Sequence, residues 1–197
     1  MSRRRSRRRP RYAVRLGWRS LRRVVPTLNP SEAKSLARDL GQAMIEQRIT
    51  TRRRAAMFIA QIAHESAGFR YREEIASGAA YEGRRDLGNT RSGDGRRFKG
   101  RTFIQITGRA NYRAVSSALG VDFIAHPEKL AHQKYACAGA AWWWNTHGCN
   151  ALADRGDFTA VTRRINGGTN GLADRQSYYR RARPVARFLT PKRRSPR

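Results

Sequence analysis

A mainly α single domain is predicted by three features of this sequence. Apolar residues recur at helical spacing in several separate stretches, and capping and turn residues punctuate those stretches. The chain's 197 residues suffice for one well-packed core, with no second core indicated. At most a small β element is expected, inside the one long connection between helices.

Order begins at "LNPSEAKSLARDLGQAM", where Asn29 is a suitable N-cap, Pro30 takes the first helical position and Glu32 completes a capping box. Leu36, Leu40 and Met44 then recur on one face. A second helix starts near Thr51 and runs through "AAMFIAQIAHES", apolar almost all round, the pattern of a central core helix. From Gly68 to Gly100 the chain is polar and glycine-rich without a period, and so long a connection is usually functional. Beyond it, "TFIQIT" reads as a short strand, "NYRAVSSALG" as a short helix ending at Gly120, and "KYACAGAAWWWNTHG" as a buried helix stopped at Gly148. Asp157 caps "FTAVTRRI", and "DRQSYYRRARPVARF" is a last helix bent or broken at Pro184.

The formal charge of +28 is uneven: residues 1–25 hold eleven arginines and residues 180–197 eight lysines or arginines, with no acid in either. Removing those nineteen cations leaves +9 for residues 26–179. The expected organisation is a basic N-terminal arm at 1–25, a globular domain at 26–188 and a basic C-terminal tail at 189–197, both ends disordered. The apolar residues of "YAVRLGWRSLRRVV" also allow an amphipathic helix on an anionic surface. Such ends attract anionic wall polymers, membrane surfaces or nucleic acid. No apolar segment after the basic start resembles a signal peptide, and "ACAGAAWWW" is too short to span a bilayer, so synthesis in a host cytoplasm is expected. Cys137 and Cys149 read as two buried thiols.

The charged end of the core helix raises the functional question. In "FIAQIAHESAGF" an apolar run delivers His64 and Glu65 and then meets Gly68. A buried carboxylate is either paired or poised for proton transfer. A second acid, Glu74, follows nine residues on, beside Glu73. On one continuous helix that offset would place the two carboxylates on opposite faces about 13 Å apart, whereas a helix end at Gly68 lets the chain turn Glu74 back. Inverting glycosidases use two carboxyl groups about 6.5–9.5 Å apart, one protonating the leaving oxygen and one holding a water. Glu82, in the same loop, is a reserve candidate for the second acid. "HESAG" lacks the second histidine of a zinc motif, and "GDGRRFKGR" lacks dinucleotide or phosphate-loop spacing, so no metal or nucleotide cofactor is expected.

Four blocks in order, "AQIAHESAGFRYREE", "GDGRRFKGRTFIQITGRANY", "AAWWWNTHG" and "RRINGGTNGLADR", resemble glycoside hydrolase family 19, and especially its short-loop bacterial and phage branch. The resemblance implies a lysozyme-like helical fold with a substrate cleft, and inverting hydrolysis of a β-1,4-linked N-acetylhexosamine polymer. It implies Glu65 as general acid, Glu74 as base and Thr107 as a holder of the attacking water. His64, Gln105, Asn111, Tyr112 and Asn166 match cleft and sugar-binding positions, and Arg175 a residue orienting the second carboxylate. Local roles compete: Asn166 before two glycines suits a helix C-terminus, and Tyr112 and Trp142 to Trp144 suit a core.

The leading expectation is a monomeric peptidoglycan hydrolase, a phage endolysin or virion-associated lysin acting on the glycan strand at the bacterial cell wall. A chitinase and an arginine-rich nucleic-acid-associated virion protein with an idle hydrolase fold are the alternatives.

Overall fold

A computed structural model describes residues 16–185. Nine α-helices build the described body: α1 (Trp18–Val24), α2 (Pro30–Glu46), α3 (Arg52–Glu65), α4 (Asp94–Arg97), α5 (Arg109–Leu119), α6 (Gln133–Thr146), α7 (Cys149–Arg155), α8 (Phe158–Asn166) and α9 (Leu172–Val185). Helix α3 is the hub. Thr51 accepts from the Arg54 amide to start it, and Ala55 through Ala63 are buried without a break. Each large apolar side chain in that run contributes about 1.5–3 kcal/mol by leaving water. Trp144 of α6 meets Phe58 edge-on at 5.4 Å between ring centres. Helix α9 lies along the other side of α3, and α2 packs against α6.

Local signals set most boundaries. Asn29 and Glu32 form the reciprocal capping box, Gly120 ends α5 in a left-handed conformation and Asp157 accepts from the Ala160 amide to open α8. Leu36, Leu40 and Met44 all face the core, and Cys137 and Cys149 are buried and unpaired. Burial pushes the Cys149 thiol up to about 12. Helix α7, directly after Gly148, was not anticipated.

Two expectations are corrected. Residues 16–25 do not belong to a free arm: Leu16, Leu21, Val24 and Val25 are buried, and α1 packs on α2 and α9 because its apolar face has a core to join. The expected tails at residues 1–15 and beyond 185 lie outside the described residues, while Pro184, where a bend or break was expected, lies inside α9 one residue before its end. "TFIQIT" is not a strand, since Thr102 and Gln105 sit at φ of 75° and 59° and interrupt the pleat. What forms is a pair of isolated antiparallel bridges, Glu73 to Arg101 and Arg101 to Ile106.

Thr102 is β-branched in a region that favours glycine, and its surroundings hold it there. Its amide donates to Arg72 O at 2.9 Å, and its Cγ2 covers Gly139 of α6. A Cβ at Gly139 would fall 2.9 Å from that methyl. Gly139→Ala is therefore expected to destabilise the protein by about 1–3 kcal/mol, read as a lower urea midpoint at unchanged m-value.

Candidate active site

Helix α3 ends at Glu65 because the chain reverses there. Ala67, Gly68 and Phe69 all take positive φ, and the Ser66 hydroxyl donates to Ile62 O at 2.6 Å while accepting from the Phe69 amide at 3.0 Å. A short segment then runs back past the helix end. Glu65, Tyr71, Glu73, Glu74, Gln105 and Thr107 line one open cleft of about 400 Å³, with Ile75, Ala76 and Tyr81 at its edge. Ile75, at the residue next to Glu74, is 80% exposed.

The two carboxylates are held differently. Glu65 Oε1 meets Arg175 Nη2 at 2.5 Å, and Arg175 is only 1% exposed. Arg175 also donates to Gln61 Oε1 at 2.6 Å and to Asn170 O at 3.2 Å. Gln61 Nε2 in turn donates to Thr162 Oγ1 on α8 at 2.8 Å. Glu74 accepts from the Gly100 amide at 3.0 Å and the Tyr81 hydroxyl at 3.1 Å, which fix the position of its carboxyl group. Burial, then the hydrogen bond to Glu74, hold the Tyr81 phenol above its ordinary value, so it remains a donor.

Thr107 and Gln105 come to the same point. A Cβ on Gly100 would lie 2.5 Å from Gln105 Oε1, 3.2 Å from Glu74 Oε2 and 3.3 Å from Thr107 Oγ1. Only glycine lets these three oxygens converge. Gln105 Oε1 is buried without a hydrogen-bond partner in the protein. Asn111 sits behind the cleft wall, donating to Thr107 O at 2.8 Å. His64 is fixed by Asp174 Oδ2 at 2.6 Å, its ring packed on Gly171, and Asn166 is exposed at the C-terminal end of α8.

The expected roles of three residues are corrected. Arg175 pairs with Glu65, not Glu74, because α9 docks along α3 and points it at the helix end. Tyr112 is fully buried and touches no cleft: its hydroxyl donates to Lys99 O at 2.7 Å and accepts from Arg101, which pairs with Glu73 at 2.9 Å. Glu82 is not a spare acid, since both its oxygens accept from the amides of Gly93 and Gly95 beside α4. Sequence reasoning missed Gln61, although its i, i+4 relation to Glu65 within an apolar helix was a legible sign. Tyr81, Gly100 and Asp94 gave no such sign.

Asp94, 1% exposed, pairs with Arg109 Nη2 at 2.5 Å and accepts from the Thr90 and Arg91 amides. Asn89 adds a second clamp, accepting from the Arg109 amide and donating to Tyr81 O. These contacts tie the cleft loop to α5.

A family model described as class I chitinases, glycoside hydrolase family 19, matches residues 33–153. The chain belongs to glycoside hydrolase family 19. It is 35% identical over 157 residues to a Haemophilus influenzae family 19 domain-containing protein, covering 64% of this chain and 76% of that one. An Arabidopsis thaliana endochitinase is 36% identical over 135 residues, 65% of this chain but 46% of its own length. The chain thus spans less than half of that plant relative. Chitinase C of Streptomyces griseus shares the fold at a TM-score of 0.66 and 23% identity, over 89% of this chain and 77% of that one. A class IV chitinase from Zea mays matches at 0.63 and 25% identity, over 76% and 80%. This family 19 hydrolase is chitinase-like in its catalytic body, and no described helix is long and apolar enough to cross a membrane.

Two outcomes follow from the geometry. Gly100→Ala is expected to cut activity at least about tenfold while the folded fraction at 25 °C is unchanged, since the methyl meets the ends of three cleft side chains, which can shift toward the open cleft. Arg109 holds the Asp94 carboxyl below its ordinary value of 3.8, so that stabilisation is present above this pH and lost as pH falls through the lower folded value. Asp94→Asn should therefore lower the melting temperature at pH 7 and flatten its decline between about pH 4 and pH 2.

Proposed function

We propose that this family 19 hydrolase cleaves the β-1,4-linked glycan strand of peptidoglycan by single displacement with inversion. The observation that carries the chemistry is the meeting of Glu65 and Glu74 in one cleft after the chain reverses at Ala67 to Phe69. Glu65 is the general acid: Arg175 occupies Oε1 and leaves Oε2 to carry the proton delivered to the glycosidic oxygen. Glu74 is the base, held in place by Gly100 and Tyr81, and Thr107 shares the attacking water with it. Gln105, on the cleft wall, offers its side-chain amide to the sugar. His64 and Asn166 extend the binding surface on the α8–α9 side.

Support for peptidoglycan is electrostatic: the strand and its wall polymers are anionic, and the body alone carries +9. The arginine-rich ends fit retention on such a wall, consistent with a lysin of phage type. Chitin is the second reading, favoured by the endochitinase relatives.

Purified sacculi and chitin oligomers digested side by side, with reduced products identified by mass spectrometry, separate the two. Wild type is expected to release disaccharide-peptides, and Glu65→Gln, equal in shape, to lose about 10²–10⁴-fold of that rate with the melt preserved. Cleavage confined to chitin would transfer the assignment to chitin.

A further inference from the structure

The segment that returns Glu74 to Glu65 has a second side. The backbone bends at Arg72 and bridges Arg101 at Glu73. Tyr71, Glu73 and Glu74 line the catalytic cleft, whereas Arg70 and Arg72 line a separate cavity of about 410 Å³. Its apolar walls are Leu28, Leu36, Phe69 and Phe103, all buried.

The polar groups there are unbalanced. Among the described residues neither Arg70 nor Arg72 has a salt bridge, although Arg72 is half-buried. Arg70 only rests over the Tyr71 ring, 5.3 Å from its centre. The acid on the wall, Glu32, is used in the α2 capping box, and Gln133 Nε2 already donates to Ser35 and Asp39. A half-buried guanidinium without a carboxylate is costly to keep, and a bidentate carboxylate is its natural partner.

We infer that this cavity binds a carboxylate-bearing peptide branch of the substrate, the stem of a peptidoglycan strand whose sugars lie in the catalytic cleft across Tyr71. This rests on the peptidoglycan reading above. Arg72 anchors a stem carboxylate, Arg70 strengthens the field at the rim, and the apolar walls receive the alkyl part of the stem. An unbranched chitin chain has nothing to place there. The cavity thereby discriminates between two polymers that the two carboxylates alone treat alike.

The test compares wild type, Arg72→Gln and Arg70→Gln, the last at an exposed position that leaves the core untouched. Three substrates are used: sacculi with stems intact, the same strands after enzymatic removal of the stems, and chitin oligomers. Isolated stem tetrapeptide is titrated into each full-length protein by calorimetry. Arg72→Gln is expected to lose about tenfold in kcat/KM on stem-bearing strands and less than about twofold on the other two, with Arg70→Gln shifted in the same direction by less. The peptide should bind wild type, more weakly at higher salt, and bind Arg72→Gln at least about tenfold less tightly. Equal loss on all three substrates, or no peptide binding by wild type, overturns the cavity assignment. A wild type that binds the peptide yet cuts only chitin would sink the peptidoglycan reading and uphold the ligand class of the cavity.

Discussion

The contact of buried Arg175 with Glu65 is the constraint on which the remaining structure depends. Arg175 is almost fully withdrawn from water, and a guanidinium so placed needs acceptors for its N–H groups. The guanidinium therefore cannot settle for one contact. It takes Glu65, the Gln61 amide oxygen and the Asn170 carbonyl together, and Gln61 is held from behind by Thr162, whose hydroxyl donates to Phe158 O. This polar line crosses α8, α3 and α9. That line helps fix how the three helices dock, and the docking places a carboxylate at the floor of the cleft.

The second carboxylate is positioned by other means. Glu74 lies in a connection with little apolar periodicity, so hydrophobic burial does little to fix it. Polar braces do so instead: Asp94 to Arg109, Glu82 to two amides, and Asn89 between Tyr81 and α5. Tyr112 belongs to the same scaffold, holding Lys99 and Arg101 under Glu73. One carboxylate thus rides on a rigid helix and the other on a loop stiffened by hydrogen bonds. Strain at Thr102 and Gln105 is tolerated because packing and backbone hydrogen bonds surround it.

Legibility followed the range of the interactions. Asn29, Asp157 and Gly120 were readable because a cap acts within four residues of itself. The reversal after Glu65 was readable from Gly68, although Ala67 and Phe69 also take positive φ, which their side chains do not advertise. The strand expected at "TFIQIT" misled because its alternating pattern is local, whereas its turns are imposed by α6 and the returning segment. Residues 16–25 misled through their charge: the arginines dominate the composition, but three or four apolar side chains decided where the segment went.

The sequence by itself determined the longer helices from α2 onward, several of their caps, the apolar hub and the presence of two acids separated by a helix end, since each follows from near-neighbour chemistry. Only the tertiary structure decided which acid the arginine serves, that Tyr112 is scaffold rather than surface, that Glu82 is a brace, and that one short segment lines both a catalytic cleft and an arginine-lined cavity. Those facts join residues up to 114 positions apart, and no local preference can specify a partner at that distance.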